Sequence, residues 1–142
     1  MASDAPVRIV FDTNILVSAF LFPQSIPGRA LDVVLCHHQL LMSMTVAAEL
    51  MDVMRREKFG AFLSLQRRDE LVAGVIRDSE LIETSTVITA CRDSQDNRIL
   101  ELAVDGSASV LVTGDSDLLI VHPFQGISIL TPRDFCLRLD IE

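Results

Sequence analysis

Apolar residues fall along this chain in short unbroken runs, each followed by a polar turn and a stretch with helical spacing. Val7-Arg8-Ile9-Val10-Phe11 has no turn former and ends abruptly at Asp12-Thr13-Asn14. Residues 15–22 then read as a helix stopped by Pro23. A second helix is predicted over 27–37, with Pro27 near its start, and a strand over 39–43. Residues 46–58 form the next helical pattern, capped by Ser43 or Thr45 and broken by Gly60. Residues 67–78 are helical again, whereas 81–90 are ambiguous, with Thr-rich β character at the end. A helix over 94–104 closed by Gly106, strands over 109–113 and 127–130, and a helix from Pro132 to about Leu139 complete the pattern.

Strands that are apolar throughout and alternate with helices indicate a parallel sheet covered on both faces. The expectation is one domain over residues 1–142, with 1–6 as a flexible tail. Its class is α/β, a three-layer sandwich with a central parallel sheet flanked by helices. A length of 142 residues suits a single core. With 49% hydrophobic residues but only 5% aromatic, and no Trp or Tyr, that core is aliphatic.

Cys36, Cys91 and Cys136 are odd in number and widely spaced, which reads as buried thiols in a reducing compartment rather than a disulfide or zinc framework. No signal peptide or membrane-spanning run is evident, so the expected location is the cytoplasm. The net charge of -8 argues against nucleic-acid binding by a broad basic surface. It is compatible with a carboxylate site that is negative until cations fill it.

In open parallel sheets, ligands bind beyond the carboxyl ends of the strands. One predicted strand delivers Asp12 there, and another delivers Asp115 and Asp117. Helix capping is the alternative for each alone. Asp96 lies on the apolar stripe of its helix with Ile99, Leu100 and Ala103, while Glu101 falls on the opposite, solvent side with Arg98 and Asp105. Glu49 likewise shares a face with Val46, Leu50 and Val53. Favourable placement in a helix dipole is the competing account of both acids. Asp93 reads equally as a helix cap and as a ligand. Crowded carboxylates repel unless protonated or bridged by cations, and oxygen ligands without His or Cys select Mg²⁺ or Mn²⁺. Such ions polarise a phosphodiester and activate water, in the fullest case as a pair about 4 Å apart.

Asn14 and Ser18 lie one helical turn apart near Asp12, where they can orient a carboxylate or a metal-bound water. Gly114 is expected to let the backbone bend sharply before Asp115. His37, His38 and His122 read as surface residues. Arg55, Arg56, Lys58, Arg67 and Arg68 flank the Phe59-Gly60-Ala61-Phe62 turn, either as a contact to a phosphate backbone or as a solvated helix face.

Taken in order, these segments resemble the PIN-domain ribonucleases, in particular the small stand-alone prokaryotic members that act as toxins of toxin–antitoxin pairs. The resemblance rests on Phe11-Asp12-Thr13-Asn14, Glu49, Cys91-Arg92-Asp93-Ser94-Gln95-Asp96-Asn97, Thr113-Gly114-Asp115-Ser116-Asp117 and Ile129-Leu130-Thr131-Pro132-Arg133-Asp134-Phe135. It covers nearly the whole chain. It implies Mg²⁺- or Mn²⁺-dependent RNA cleavage, with the family's catalytic and metal-binding acids at Asp12, Glu49, Asp96 and Asp115. Asp117 and Asp93 would add to the metal site, and Asn14 and Thr113 would support it. It also implies a homodimer and an antitoxin protein as partner.

Two other readings compete. A phosphatase of the haloacid-dehalogenase kind would use Asp12 as nucleophile, but such enzymes carry a second Asp where this chain has Asn14, and a later catalytic Lys. A non-catalytic binding module on the same fold would keep the architecture without the chemistry.

Overall fold

The computed structural model describes residues 6–141. The expected tail therefore lies outside the described residues except for Pro6. Five parallel strands form one sheet: β1 (Arg8–Phe11), β2 (Gln39–Met42), β3 (Glu80–Leu81), β4 (Val110–Val112) and β5 (Ser128–Leu130), in the order β3-β2-β1-β4-β5. Helices α1 (Thr13–Leu21), α2 (Ile26–His37), α3 (Met44–Met54), α4 (Leu65–Asp78), α5 (Ser94–Asp105), α6 (Ser116–Leu119) and α7 (Pro132–Leu139) connect and follow them. Seven helices thus flank a five-stranded parallel sheet, the three-layer α/β sandwich expected. Among the described residues, no helix is long and apolar enough to cross a membrane.

Strand order decides where a site can form. From β1 the chain steps outward through β2 to β3, then α5 carries it back across to β4 on the other side of β1. Right-handed crossovers in opposite directions put α1–α4 on one face of the sheet and α5 on the other. The sheet's topological switch point therefore lies between β1 and β4, with Ile9 opposite Val110 and Phe11 opposite Val112. Ile9, Val10, Leu40, Leu41, Leu111 and Val112 are all buried, as strands covered on both faces require. The edge-to-face contact of Phe11 and Phe135, 6.0 Å between centroids, closes the core under α7.

Several boundaries differ from the periodicity. Helix α1 starts at Thr13, because the Asp12 carboxylate already caps it by accepting the Asn14 N–H at 2.9 Å. Ser43, not Thr45, caps α3. That helix ends at Met54 rather than Lys58, and Glu57–Ala61 is a separate 3₁₀ turn. At this break stands Arg68 of α4, which is buried and donates to the carbonyls of Met54 at 2.7 Å, Arg56 at 3.1 Å and Leu63 at 3.0 Å. A guanidinium satisfies the ends that a longer helix would have satisfied itself.

Residues 82–90 have no regular secondary structure after the two-residue β3. They lie along α5, where Glu101 accepts the Ile88 N–H at 2.9 Å and Asp105 accepts the N–H groups of Ser85 and Thr86. Glu101 is buried, paired with Arg98 at 2.7 Å, and is not the solvent residue the periodicity indicated. Gly106 does close α5, but for want of room: a Cβ there would meet Leu41 Cδ1 at 2.7 Å. Gly114 carries no such constraint, since its φ is not left-handed and a Cβ would meet only Ile15 Cδ1 at 3.9 Å.

Candidate active site

The site is built at the carboxyl ends of β1 and β4. Asp12 follows β1 directly and is 7% exposed. Its Oδ1 accepts the Asn14 N–H, and its Oδ2 accepts the Thr113 hydroxyl at 2.5 Å. Thr113 follows β4, and the same hydroxyl oxygen accepts the Asp115 N–H at 3.0 Å. Asp115 then caps α6 by accepting the Asp117 N–H at 2.9 Å. Capping and site membership, set against each other by the sequence, are here the same fact: each turn aims its acid by hydrogen-bonding it to the helix that follows.

From the other face of the sheet, α5 brings Asp96, buried in its first turn, and its cap Asp93, whose Oδ1 accepts the Gln95 N–H. From α3 comes Glu49, half-buried. Asp12, Glu49, Asp93, Asp96 and Asp115 line one cavity of about 180 Å³, together with Thr13, Asn14, Val53, Arg56, Gln95 and Ile99. One carboxylate oxygen from each of Asp96, Asp115 and Asp117 lies within 4.8 Å of the other two. The Oδ2 of Asp96 is buried without a hydrogen-bond partner.

Crowding shows in the proton affinities. Burial, then the charge and contact of Asp115, then Asp93 and Asp12, push the Asp96 carboxyl up to about 7. Burial also raises Asp12, although the Thr113 hydroxyl and the Asn14 N–H pull it back. Glu49 is raised by burial too; Thr13 and Arg56 oppose that rise, while Asp12 and Asp93 add to it.

Some expected members are elsewhere. Ser18 does not line the cavity. Arg68 is a buried structural residue. Arg55 pairs with Asp69 at 3.1 Å, Arg67 with Glu70 at 3.5 Å, and Lys58 Nζ stands 5.1 Å over the Phe59 ring. Of the basic cluster only Arg56 reaches the cavity. His38 and His122 each accept a backbone N–H through Nδ1, from Val7 and Ile129, and His37 is exposed. The thiols do not share one environment: Cys136 is buried, Cys91 partly so, and Cys36 is exposed.

Two site neighbours went unmarked in the sequence. Thr13 lines the cavity, and Asn97 clamps the approach to α5, accepting the Cys91 N–H at 2.8 Å and donating to its carbonyl at 3.0 Å. An amide directly after Asp96 in the first turn of its helix was the available signal.

Residues 8–117, which span both acid-bearing strand ends, match the family profile described as PIN domain. The chain belongs to the PIN-domain family. An uncharacterized protein of Methanocaldococcus jannaschii is 27% identical to it over 117 residues, 80% of this chain and 74% of that protein. Among solved structures, this PIN domain is similar to VapBC2 from Rickettsia felis, determined bound to a DNA fragment from their promoter. The TM-score is 0.62 at 16% identity, covering 87% of this chain and 97% of that one. It is also similar to PAE2754 from Pyrobaculum aerophilum, with TM-score 0.61 at 15% identity over 96% and 91% of the two chains. At these identities the likeness is one of fold.

Proposed function

We propose that this PIN domain is a metal-dependent endoribonuclease that hydrolyses RNA phosphodiester bonds, acting as the toxin of a toxin–antitoxin pair. The observation that carries the reading is the buried, unpartnered Asp96 oxygen among the carboxylates of Asp12, Asp115 and Asp117 at the sheet's switch point. A carboxylate oxygen shielded from water and left without a donor fits a metal ligand. The all-oxygen donor set fits Mg²⁺ or Mn²⁺ and gives no reason to expect zinc.

Asp12, Asp96 and Asp115 would hold the ion, with Asp93 and Asp117 beside them. When bound, the ion supplies Lewis-acid activation of water and phosphate. The remaining tasks belong to the chain. Glu49, on the α3 wall with a raised proton affinity, is placed to take a proton from the attacking water. Asn14 offers a side-chain amide at the cavity to orient that water, and Thr113 holds Asp12 in register with Asp115. Arg56 is the cation available to a phosphate oxygen at the cavity wall. The haloacid-dehalogenase alternative loses support, because Lys58 lies over Phe59 and not in the cavity. The fold likeness to VapBC2 supports an antitoxin partner, and a homodimer belongs to the same proposal.

The test is cleavage of mixed RNAs by the parent and by Asp12→Asn, each with Mn²⁺, Mg²⁺ or EDTA. Cleavage by the parent in Mn²⁺ or Mg²⁺, lost in EDTA and in the variant, is expected. Equal cleavage by parent and variant, or cleavage insensitive to EDTA, overturns the assignment.

A further inference from the structure

Arg92 has no part in the function proposed above, yet its Nη2 donates to both carboxylate oxygens of Asp117 at 3.1 Å. Asp117 is one of the three acids whose oxygens converge within 4.8 Å. The pair is held in place from the backbone side. Asn97 fixes Cys91 through both its N–H and its carbonyl, and the Cys91 thiol sits 3.8 Å from the Asp117 carbonyl oxygen. The segment carrying Arg92 is thereby docked on α6, and the guanidinium reaches back over the carboxylate it neutralises.

We propose that Arg92 is a resident counter-cation of the acid cluster, which competes with a divalent cation for the Asp117 carboxylate. This rests on the metal reading above and adds to it a residue that sets how readily the site fills. The guanidinium engages a lone pair on each oxygen of Asp117 and draws its charge away from the cluster, so a divalent cation must share or displace Arg92 to use that carboxylate in full. The Arg92 side chain is 87% exposed and Asp117's 38%, so release is inexpensive. A water-accessible ion pair of this kind changes an affinity by only about two- to fivefold. The grip is therefore a modulator and not a lock.

The experiment is a calorimetric Mn²⁺ titration of the full chain as parent, Arg92→Gln, Asp117→Asn and the double variant. Arg92→Gln is expected to tighten Mn²⁺ binding by about two- to fivefold, and Asp117→Asn to weaken it. In the Asp117→Asn background the Arg92 substitution is expected to change nothing. Unchanged affinity in Arg92→Gln overturns the proposal while leaving the metal site standing. So does equal tightening with and without Asp117, which would mark a diffuse charge effect. Absence of Mn²⁺ binding in both the parent and Arg92→Gln overturns the metal reading and this inference with it. Binding gained only by Arg92→Gln supports both.

Discussion

The Thr113 hydroxyl donates a hydrogen bond to Asp12 at 2.5 Å, from the end of a neighbouring strand 101 residues further along the chain. Because the same oxygen accepts the Asp115 N–H, one hydroxyl ties together the two acids that end β1 and β4.

Thr113→Val keeps the side chain's shape and removes both hydrogen bonds. A loss of about 1–3 kcal/mol of stability is expected, since the Asp12 oxygen and the Asp115 N–H are left without this partner. The proton affinity of Asp12 is expected to rise further, and RNA cleavage to fall. Thr113→Ser is expected to restore most of both. Urea unfolding in EDTA and a cleavage assay measure the two effects; a valine variant equal to the parent in each would show that the hydroxyl is incidental.

Asp96→Asn is expected to abolish cleavage while stabilising the metal-free protein by about 1–3 kcal/mol above neutral pH, by removing a charge that Asp115, Asp93 and Asp12 repel. The pH dependence has a definite sign. The folded-state value, about 7, lies above the ordinary 3.8, so the folded protein binds more protons across that window. The associated stability is fully present below the ordinary value and lost as pH rises through about 7. Melting of the metal-free parent should thus occur at lower temperature at about pH 8 than at about pH 5, and the asparagine variant should show a shallower slope. A parent that is more stable at the higher pH contradicts the picture.

Divalent ions and the Asp96 proton are expected to exclude each other. Millimolar Mn²⁺ should raise the melting temperature of the parent at pH 8, by mass action on the folded state alone. Its affinity should weaken as pH falls below about 7, with proton release on binding. Titrations in buffers of different ionisation enthalpy read that release. A binding curve independent of pH across this range would remove Asp96 from the ligand set.

The basic residues separate into structure and contact. Arg68→Met is expected to destabilise by about 3 kcal/mol, since four backbone carbonyls lose the guanidinium they share. Arg56→Gln should leave stability unchanged within about 0.5 kcal/mol and weaken RNA binding. Thermal melts and filter binding to a short RNA distinguish them; the reverse pattern would mean that the two roles have been exchanged.

Local pattern made most of the architecture legible. The apolar runs at Val7–Phe11 and Ser109–Thr113 identified the central strands, because only strands buried on both faces avoid alternation. Asp12, Asp96, Asp115 and Glu49 were each marked by an acid at a strand end or on an apolar helix face, and all four line or adjoin one cavity. Misreadings arose where a buried side chain serves the backbone. Glu101 looked solvent-facing because α5 was assumed to bury one side, whereas residues 82–90 cover its other side and require acceptors. Arg68 looked like part of a cationic patch because nothing local reveals that a helix four turns long will plug the corner left by α3. The short helix α6 was missed altogether, since four residues carry no period.

Placing β1 and β4 side by side also dates the site within the life of the chain. Asp12, Glu49 and Asp96 all precede Val110–Val112 along the chain, the strand that must slot in beside β1 to bring Thr113 and Asp115 to them. A nascent or prematurely ended chain stopping at α5 would hold those three acids without their fourth wall. On the function proposed above, the acid site would be complete only once β4 has paired with β1.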